Sequence, residues 1–498
     1  MSVTRPAAVV VLAAGEGTRM RSATPKVLHE ICGRSLLGHA VTAARSLQPE
    51  RLVVVVGHGR DDVVPHLELI DAGAEVTVQE QQLGTAHAVQ VALAGLTAPE
   101  HPLRGTVVVT SADVPLLTDA TLATLVASHE RANNAVTVLT ALVPDPTGYG
   151  RILRDATGEV LGNAEHRDAT PEQLAVGEIN SGIYAFDAET LITALGVVGE
   201  DNAQGERYLP DVLAIARTAG QRVGAVRVDD HREVLGVNDR VQLADVRRLM
   251  NLRMLTAWML AGVTVVDPAT TWVGVDVTLE PDVVLLPGVS LEGATSIGAG
   301  ARIGPDSSLR DTVVGELATV VRSHLVGAQV GAGADVGPYA YLRPGAVLGV
   351  DSKVGTFVEV KGSTLGRGTK VPHLTYVGDA DIGDETNIGA ASVFVNYDGV
   401  AKHRTVVGDA CRTGSDTMFI APVRIGDGAY TAAGSVITQD VPPGAMAVAR
   451  AKQRNIEGWV LRRRAGTAAA EAAERALAME RQTATDDSIA AHGEGATP

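Results

Sequence analysis

The chain has 498 residues, a formal net charge of −16, and 45% hydrophobic but only 3% aromatic residues, so its cores must be aliphatic. That length holds roughly three domain-sized units, and the acidic balance excludes a nucleic-acid-binding protein, which needs a basic face. Cys32 and Cys411 match no zinc spacing and suit a reducing cytoplasm, and no apolar stretch is long enough to span a bilayer, so a cytoplasmic protein with no membrane partner is expected.

The first element is the apolar run Ala7–Leu12. Preceded by Arg5 it has the look of a short signal peptide, but cleavage there would destroy the glycine-rich loop next to it, so it is expected as a buried strand. That loop runs through Leu12, Ala13, Ala14, Gly15, Glu16, Gly17, Thr18 and Arg19, with Lys26 a little further on. Two glycines let the backbone turn tightly and present its N–H groups; at the start of a following helix such donors form an anion site. Arg19 and Lys26 add two positive charges at the same mouth, which suits a triphosphate. A Walker loop is excluded because no Gly-Lys-Ser/Thr comes after Gly17. The dinucleotide fingerprint is excluded because Met20 stands where a third small residue belongs. Further Val-rich runs at Leu52–Val56, Thr106–Thr110, Ala135–Leu142 and Ile183–Phe186 read as buried parallel strands. The pattern predicts a doubly wound, Rossmann-like α/β domain over residues 1–238, with ligands at the carboxyl ends of its strands. Asp113, just past the strand Thr106–Thr110, is placed there to hold Mg²⁺.

Residues 239–262 carry Val241, Leu243, Val246, Leu249, Met250, Leu252, Leu255 and Leu260 at near-helical spacing, interleaved with arginines. This is expected as one long linker helix, capped by Asn238 or Asp239 and stopped by Gly262. From Val263 the period becomes six. Ile297, Ile303 and Leu309 keep the beat, as do Val330, Val336, Leu342, Leu348, Val354 and Val360, then Leu365, Val371 and Val377, then Ile382 and Ile388. Hexads are the mark of a parallel β-helix, in which each forms one side of a coil and the aliphatics stack inside, predicted here over 263–464. The rhythm fails between Val393 and Asp416, an insertion bearing Asn396, Tyr397 and Lys402. Past Arg464 the chain is Ala-, Glu- and Arg-rich, then polar, and 465–498 is expected as a frayed helix and a mostly disordered tail.

The string from Leu12 to Lys26 resembles the signature of the sugar-1-phosphate nucleotidyltransferases, and the hexads resemble those of the hexapeptide-repeat acyltransferases. In that order, joined by a helix, the halves are similar over nearly the whole chain to a bifunctional bacterial family. That family acetylates glucosamine-1-phosphate with acetyl-CoA and uridylylates the resulting N-acetylglucosamine-1-phosphate with UTP, making a precursor of peptidoglycan and other envelope polysaccharides. The resemblance implies a left-handed coil, a homotrimer with shared active sites, and Mg²⁺ dependence.

It also implies residue roles. Leu12, Ala13, Ala14, Gly15, Lys26, Gln79, Gly84 and Thr85 match the nucleotide-binding segments, with Gln79 near the uracil. Gly150, Glu165 and Asn180 match the sugar-binding segments, Gly150 leaving room for substrate. Asp113 and Asn238 match the metal ligands, although Asn238 alone reads equally as a helix cap. Arg19 and Lys26 would neutralise the phosphates. In the second half His373 matches the general base, and its unperturbed pKa near neutrality suits that task. Arg343, Lys361, Tyr376 and Asn387 match the sugar-phosphate contacts. Ala390, Asn396, Tyr397, Ser415, Ala433 and Arg450 match the acetyl-CoA groove, while Lys402 and Trp459 would complete it, Trp459 reading equally as a core or interface residue. The chain departs from the family pattern at Glu16, Ala86, Ser111-Ala112 and Asn163-Ala164. On the residues alone two rivals stay open: a nucleotidyltransferase whose coil is only a scaffold, and a catalytically silent sugar-nucleotide binder.

Overall fold

A computed structural model describes residues 5–97, 100 and 102–493 of the chain. The N-terminal elements are β1 (Ala8–Ala13), β2 (Glu30–Ile31), β3 (Arg34–Ser35), α1 (Leu36–Ser46), β4 (Arg51–Val56), α2 (Arg60–Ile70), β5 (Glu75–Val78), α3 (Thr85–Ala94), β6 (Thr106–Ser111) and α4 (Asp119–Ala132). They continue with β7 (Val136–Leu142), β8 (Arg151–Arg154), β9 (Val160–Ala164), α5 (Pro171–Leu174), β10 (Glu178–Asp187), α6 (Ala188–Leu195), α7 (Asp211–Thr218) and β11 (Val223–Arg227). Nine strands form one sheet in the order β11-β7-β10-β6-β1-β4-β5, with β8 pairing β10 and β9 pairing β8. β1 lies at its centre, parallel to β4 and β6. Its successive valines face opposite layers: Val10 enters one apolar cluster, Val9 and Val11 the other, as a strand buried on both faces requires.

One strand departs from the expected parallel set. The run Ile183–Phe186 is part of β10, which is antiparallel to both β6 and β7. Strand direction is set by the connection, not by the apolar pattern. Here the chain leaves β7 through the antiparallel hairpin β8–β9 rather than through the crossover helix a parallel neighbour needs.

The linker is α8 (Arg240–Leu260), capped by Asp239, whose carboxylate accepts from the Gln242 N–H at 2.8 Å. Leu243, Val246 and Met250 pack with Met20, Ile31, Leu36 and Leu116 of the N-terminal unit, whereas Leu255 joins the core of the following coil. The apolar stripe is narrower than its spacing implies, since Val241 and Leu260 face solvent.

Beyond α8, three parallel sheets of seven, ten and nine strands stack coil upon coil. The hexad aliphatics form three columns: Val336, Val354 and Val371; Leu342, Val360 and Val377; Leu348, Leu365 and Ile382. All are buried. Six residues are therefore one side of a three-sided coil. The insertion is a small hairpin in which Tyr397 and Lys402 bridge antiparallel. Two helices come after the coil, α9 (Trp459–Arg463) and α10 (Ala468–Gly493). Of the frayed helix and mostly disordered tail expected over 465–498, the described residues hold a helix that runs to Gly493. Its alanine, glutamate and arginine are strong helix formers that need little packing. Residues 494–498 of that expectation lie outside the described residues. Among the described residues no helix is long and apolar enough to cross a membrane.

Candidate active sites

The carboxyl ends of β1, β5 and β6 open on a cavity of ≈ 300 Å³ lined by Leu12, Ala13, Ala14, Gly15, Lys26, Gln79, Gly84, Thr85 and Asp113. Residues from five separate stretches thus meet in one place. The loop after β1 does not run into a helix, contrary to expectation. Gly17 (φ 63°) leads into a three-residue 3-10 turn, Thr18–Met20, closed by the left-handed Arg21, and the first α-helix begins only at Leu36. An anion here meets loop amides and side-chain cations, not a helix terminus. A Cβ at Gly17 would lie 2.6 Å from the Lys26 Cβ, so this glycine lets Lys26 fold in beneath the loop. Arg19 stays exposed, outside the residues that line the cavity.

The Lys26 ammonium stands 2.5 Å from Asp113 Oδ2 and 3.4 Å from Asn238 Oδ1. Ser111 donates to the other Asp113 oxygen at 2.7 Å. Asn238 is not the cap of α8, so its side chain is free for this site. A cation already sits between two hard oxygen donors brought from β6 and the start of α8. Such donors fit a small divalent ion that keeps water and substrate phosphates as its other ligands. The described residues hold no cluster of three or more His, Cys, Asp or Glu that could bind a metal by themselves.

Gln79 is buried, and its amide N–H donates to the Gly84 carbonyl at 3.2 Å. Gly84 (φ 102°) presses against the backbone of Arg207: a Cβ there would meet the Arg207 oxygen at 2.5 Å. Thr85 Oγ1 accepts from Leu209 N at 3.0 Å, and Gln82 donates to the Ala14 carbonyl at 2.8 Å. The Gly84-Thr85 turn is thereby clamped between the β1 loop and the 207–209 segment.

A second cavity, ≈ 310 Å³, holds Gly150, Glu165 and Asn180 and shares Leu12, Thr85 and Glu206 with the first. The two are adjoining compartments of one cleft. Asn180 Oδ1 accepts from Gly182 N and from the Tyr184 hydroxyl, both at 2.9 Å, which leaves its NH₂ to face a ligand. Burial raises the Glu165 carboxyl above its ordinary range, partly offset by the Asn163 amide 2.7 Å away. Gly150 does not leave open room for substrate. A Cβ there would strike Asn163 Oδ1 at 2.5 Å and Glu165 Oε1 at 2.9 Å, so the glycine makes space for those side chains. Gln82 and Tyr149, from segments matched by the resemblance, also line the cleft, as do Glu206 and Tyr208, which were not legible as site residues because no motif marks them.

On the coil, Arg343 and Lys361 come directly after the paired positions Leu342 and Val360 in successive rungs of one sheet, with Tyr376 on the next. Each cation is held by a carboxylate that sequence reading missed. Arg343 pairs with Glu359 at 2.9 Å and Lys361 with Asp379 at 2.8 Å. Asn396, from the insertion, donates to Asp379 at 2.6 Å. Burial pushes the Asp379 carboxyl up, but Lys361 and Asn396 outweigh it and hold it below its usual range. Asp379 stands 18 residues beyond Lys361, directly after Gly378, the partner of Lys361 on the next coil.

His373 ends a strand on the neighbouring sheet, opposite Thr356. Its ring is exposed and makes no hydrogen bond within the described residues. Its carbonyl accepts from Ala391 N, that of Ala390 from Asp416 N, and that of Ser415 from Gly434 N. His373, Ala390, Ser415 and Ala433 therefore occupy one corner of successive coils, a column of small side chains leading away from the imidazole. Asn387 lies on the same sheet as His373, bridged to Lys370 and Arg412. Tyr397, Lys402, Arg450 and Trp459 stand exposed, and Lys402 lies close enough to Asp379 to help hold its carboxyl low.

A MobA-like NTP transferase domain model matches residues 9–176, and a bacterial transferase hexapeptide model (six repeats) matches residues 404–439. A Bifunctional protein GlmU of Streptomyces avermitilis is 62% identical over 475 residues, 95% of this chain and 98% of the relative. The protein of the same name from Thermobifida fusca is 61% identical over 482 residues, 97% of this chain and 100% of its own. That from Mycolicibacterium gilvum is 56% identical over 472 residues, 94% of each.

Proposed function

The chain belongs to the GlmU family, and from that premise we propose how its two sites divide the making of UDP-N-acetylglucosamine. It is a bifunctional transferase: one site acetylates glucosamine-1-phosphate with acetyl-CoA, the other transfers uridylyl from UTP to N-acetylglucosamine-1-phosphate and releases pyrophosphate. Residues 1–238 carry uridylyl transfer, 239–262 join the halves, and 263–464 carry acetyl transfer.

The observation that carries the first assignment is the cleft of two adjoining compartments sharing Leu12, Thr85 and Glu206. UTP fills the compartment of Gly15, Lys26, Gln79, Gly84 and Thr85, and the sugar that of Gly150, Glu165 and Asn180. The sugar phosphate is then the neighbour of the nucleotide's α-phosphorus, and its oxygen attacks in line as pyrophosphate leaves. A phosphate oxygen is already nucleophilic, so the chain supplies position and positive charge, not a base. Lys26 carries that charge, with Arg19 reaching in from its exposed turn. Asp113 and Asn238 would hold Mg²⁺, which supplies further neutralisation of the phosphate oxygens.

In the second site Arg343 and Lys361 receive the sugar phosphate, with Tyr376 and Asn387 beside it. His373 takes a proton from the amino group as that nitrogen attacks the acetyl-CoA thioester carbonyl, and the thiol leaves along the column Ala390, Ser415, Ala433. Asn396, Tyr397 and Arg450 complete the coenzyme's contacts. A homotrimer is part of this reading. What supports it is an exposed apolar corner beside His373, formed by Tyr339 and Phe357, whose rings stack at 5.3 Å, and by Leu374. A neighbouring protomer covering that corner would bring further residues to the imidazole. A cytoplasmic location accords with UTP and acetyl-CoA as co-substrates.

Separate assays of the two half-reactions test the reading. Asp113→Ala abolishes pyrophosphate release and spares thiol release, and His373→Ala does the reverse; equal loss of both in either variant would refute two independent sites.

A further inference from the structure

Asn163 is a polar residue in an uneconomical position. It lies in β9 opposite Ile152 of β8, two residues before Glu165, so both side chains point to the same face of the strand, against Gly150. Its amide nitrogen donates to Glu165 Oε1 at 2.7 Å. Its oxygen is buried and has no hydrogen-bond partner among the described residues. Flipping the amide would not cure this, because the oxygen would then face the carboxylate. A buried acceptor left unsatisfied destabilises a fold by about 1–3 kcal/mol, so an aliphatic side chain of the same size would suit the hairpin better. Orphaned polar groups of this kind call for a functional reason.

We propose that Asn163 is a positioning residue for sugar recognition, its amide N–H holding the Glu165 carboxylate in the orientation that accepts a hydroxyl proton of N-acetylglucosamine-1-phosphate. This rests on the reading of Glu165 as a sugar ligand and deepens it. The surroundings explain why Glu165 needs the help. Burial raises its carboxyl, Asp168 and Asp211 push the same way, and on the other side stand only the Asn163 amide and Arg151. Arg151 is itself buried and donates to the Tyr149 carbonyl. Asn163 is thus the only hydrogen-bond donor to Glu165 among the described residues, and it keeps the group an ionised acceptor.

The test uses the full-length enzyme in uridylyl transfer, with N-acetylglucosamine-1-phosphate and pH both varied. Asn163→Leu is expected to raise KM for the sugar phosphate about tenfold, the worth of one hydrogen bond to a charged group, with kcat and the KM for UTP little changed. The acid limb of kcat/KM moves up by about 1 pH unit, because losing the donor favours the protonated carboxyl. The N-terminal unit melts close to wild type, because removing the unsatisfied acceptor offsets the donor lost from Glu165. Intact acetyl transfer shows that the chain has folded. Glu165→Gln is run alongside. If it raises KM for the sugar phosphate while Asn163→Leu leaves both KM and the acid limb unmoved, the positioning role is overturned and the sugar site stands. If Glu165→Gln also leaves KM unmoved, the sugar site falls and this inference with it. A uniform loss at all pH values with a lowered melting point would make Asn163 a packing residue and would equally overturn the proposal.

Discussion

Gly84→Ala concentrates the logic of the nucleotide compartment in one methyl group. At φ 102° and ψ 178° residue 84 occupies a region that only glycine adopts freely, and forcing another residue there costs about 1–3 kcal/mol. The added Cβ meets the Arg207 oxygen at 2.5 Å and its nitrogen at 2.8 Å. Both are backbone atoms that cannot swing aside, which adds about 1–3 kcal/mol of overpacking. Against this total stand the bonds that fix the turn, Thr85 to Leu209 and Gln79 to Gly84, worth about 1 kcal/mol each. The turn yields before the sheet does, since a domain's whole stability is about 5–15 kcal/mol. A displacement of about 1 Å in a positioning element costs about 10²-fold in rate. Pyrophosphate release with UTP should therefore fall by that order, while thiol release from acetyl-CoA in the same preparation stays at the wild-type rate. Uridylyl transfer at full rate with unchanged melting would show that the turn does not hold the nucleotide.

Two further expectations concern stability. Leu342 is fully buried between Leu325 and Val360 of the adjacent coils, so Leu342→Ala leaves a cavity worth about 2–5 kcal/mol. Heating should then extinguish acetyl transfer at a lower temperature than uridylyl transfer, and a variant that loses both together at the wild-type midpoint would contradict the column. Asp71 accepts two bonds from the Arg45 guanidinium, at 2.5 and 3.0 Å. Those bonds, against opposing burial, hold its carboxyl below the ordinary 3.8. A depressed folded value stabilises above the unfolded one and fades as pH falls through it. Asp71→Asn should cost up to about 1 kcal/mol at neutral pH, with the gap to wild type closing below pH about 4; a gap that widened in acid would refute the sign.

How much of the molecule was legible depends on how each signal arises. β1, β4, β6 and β7 are valine-rich because both faces are buried, and the hexads announce themselves because every coil repeats the same demand on one inward residue. The direction of β10 was not legible, since an apolar run carries no arrow. At the sites, Leu12–Gly15 could be placed because a recognisable strand runs into a glycine-rich loop there, whereas Gln79 and Gly84-Thr85 were placed by the family resemblance. Glu206, Asp379 and Glu359 could not be placed. They are recruited by coil stacking or by a distant loop, and Asp379 and Glu359 lie off the register of the cations they hold. Gly150 shows the limit of reading a glycine as empty space: what it admits is the protein's own Asn163 and Glu165.

The way α8 joins the halves bears on why two reactions can share a chain without interfering. Its Leu243, Val246 and Met250 belong to one apolar cluster and Leu255 to another, so the helix is an embedded part of both cores. Around it the direct links are few. The Arg34–Asp276 pair, at 2.8 Å, is largely exposed and contributes at most about 1 kcal/mol. The firmer tie is Asn251, a buried amide on the helix that donates to the Thr271 carbonyl at 2.8 Å and accepts from Val273 N at 3.1 Å, closing the start of the coil onto α8. Both of its bonds end on the coil's early rungs, whereas Lys361, His373 and Asn396 lie many coils farther on. A shift in the uridylyl cleft must therefore cross α8 and several rigid, close-packed rungs before it reaches the imidazole. Packed columns of this kind resist graded deformation, so the fold insulates each site from the other.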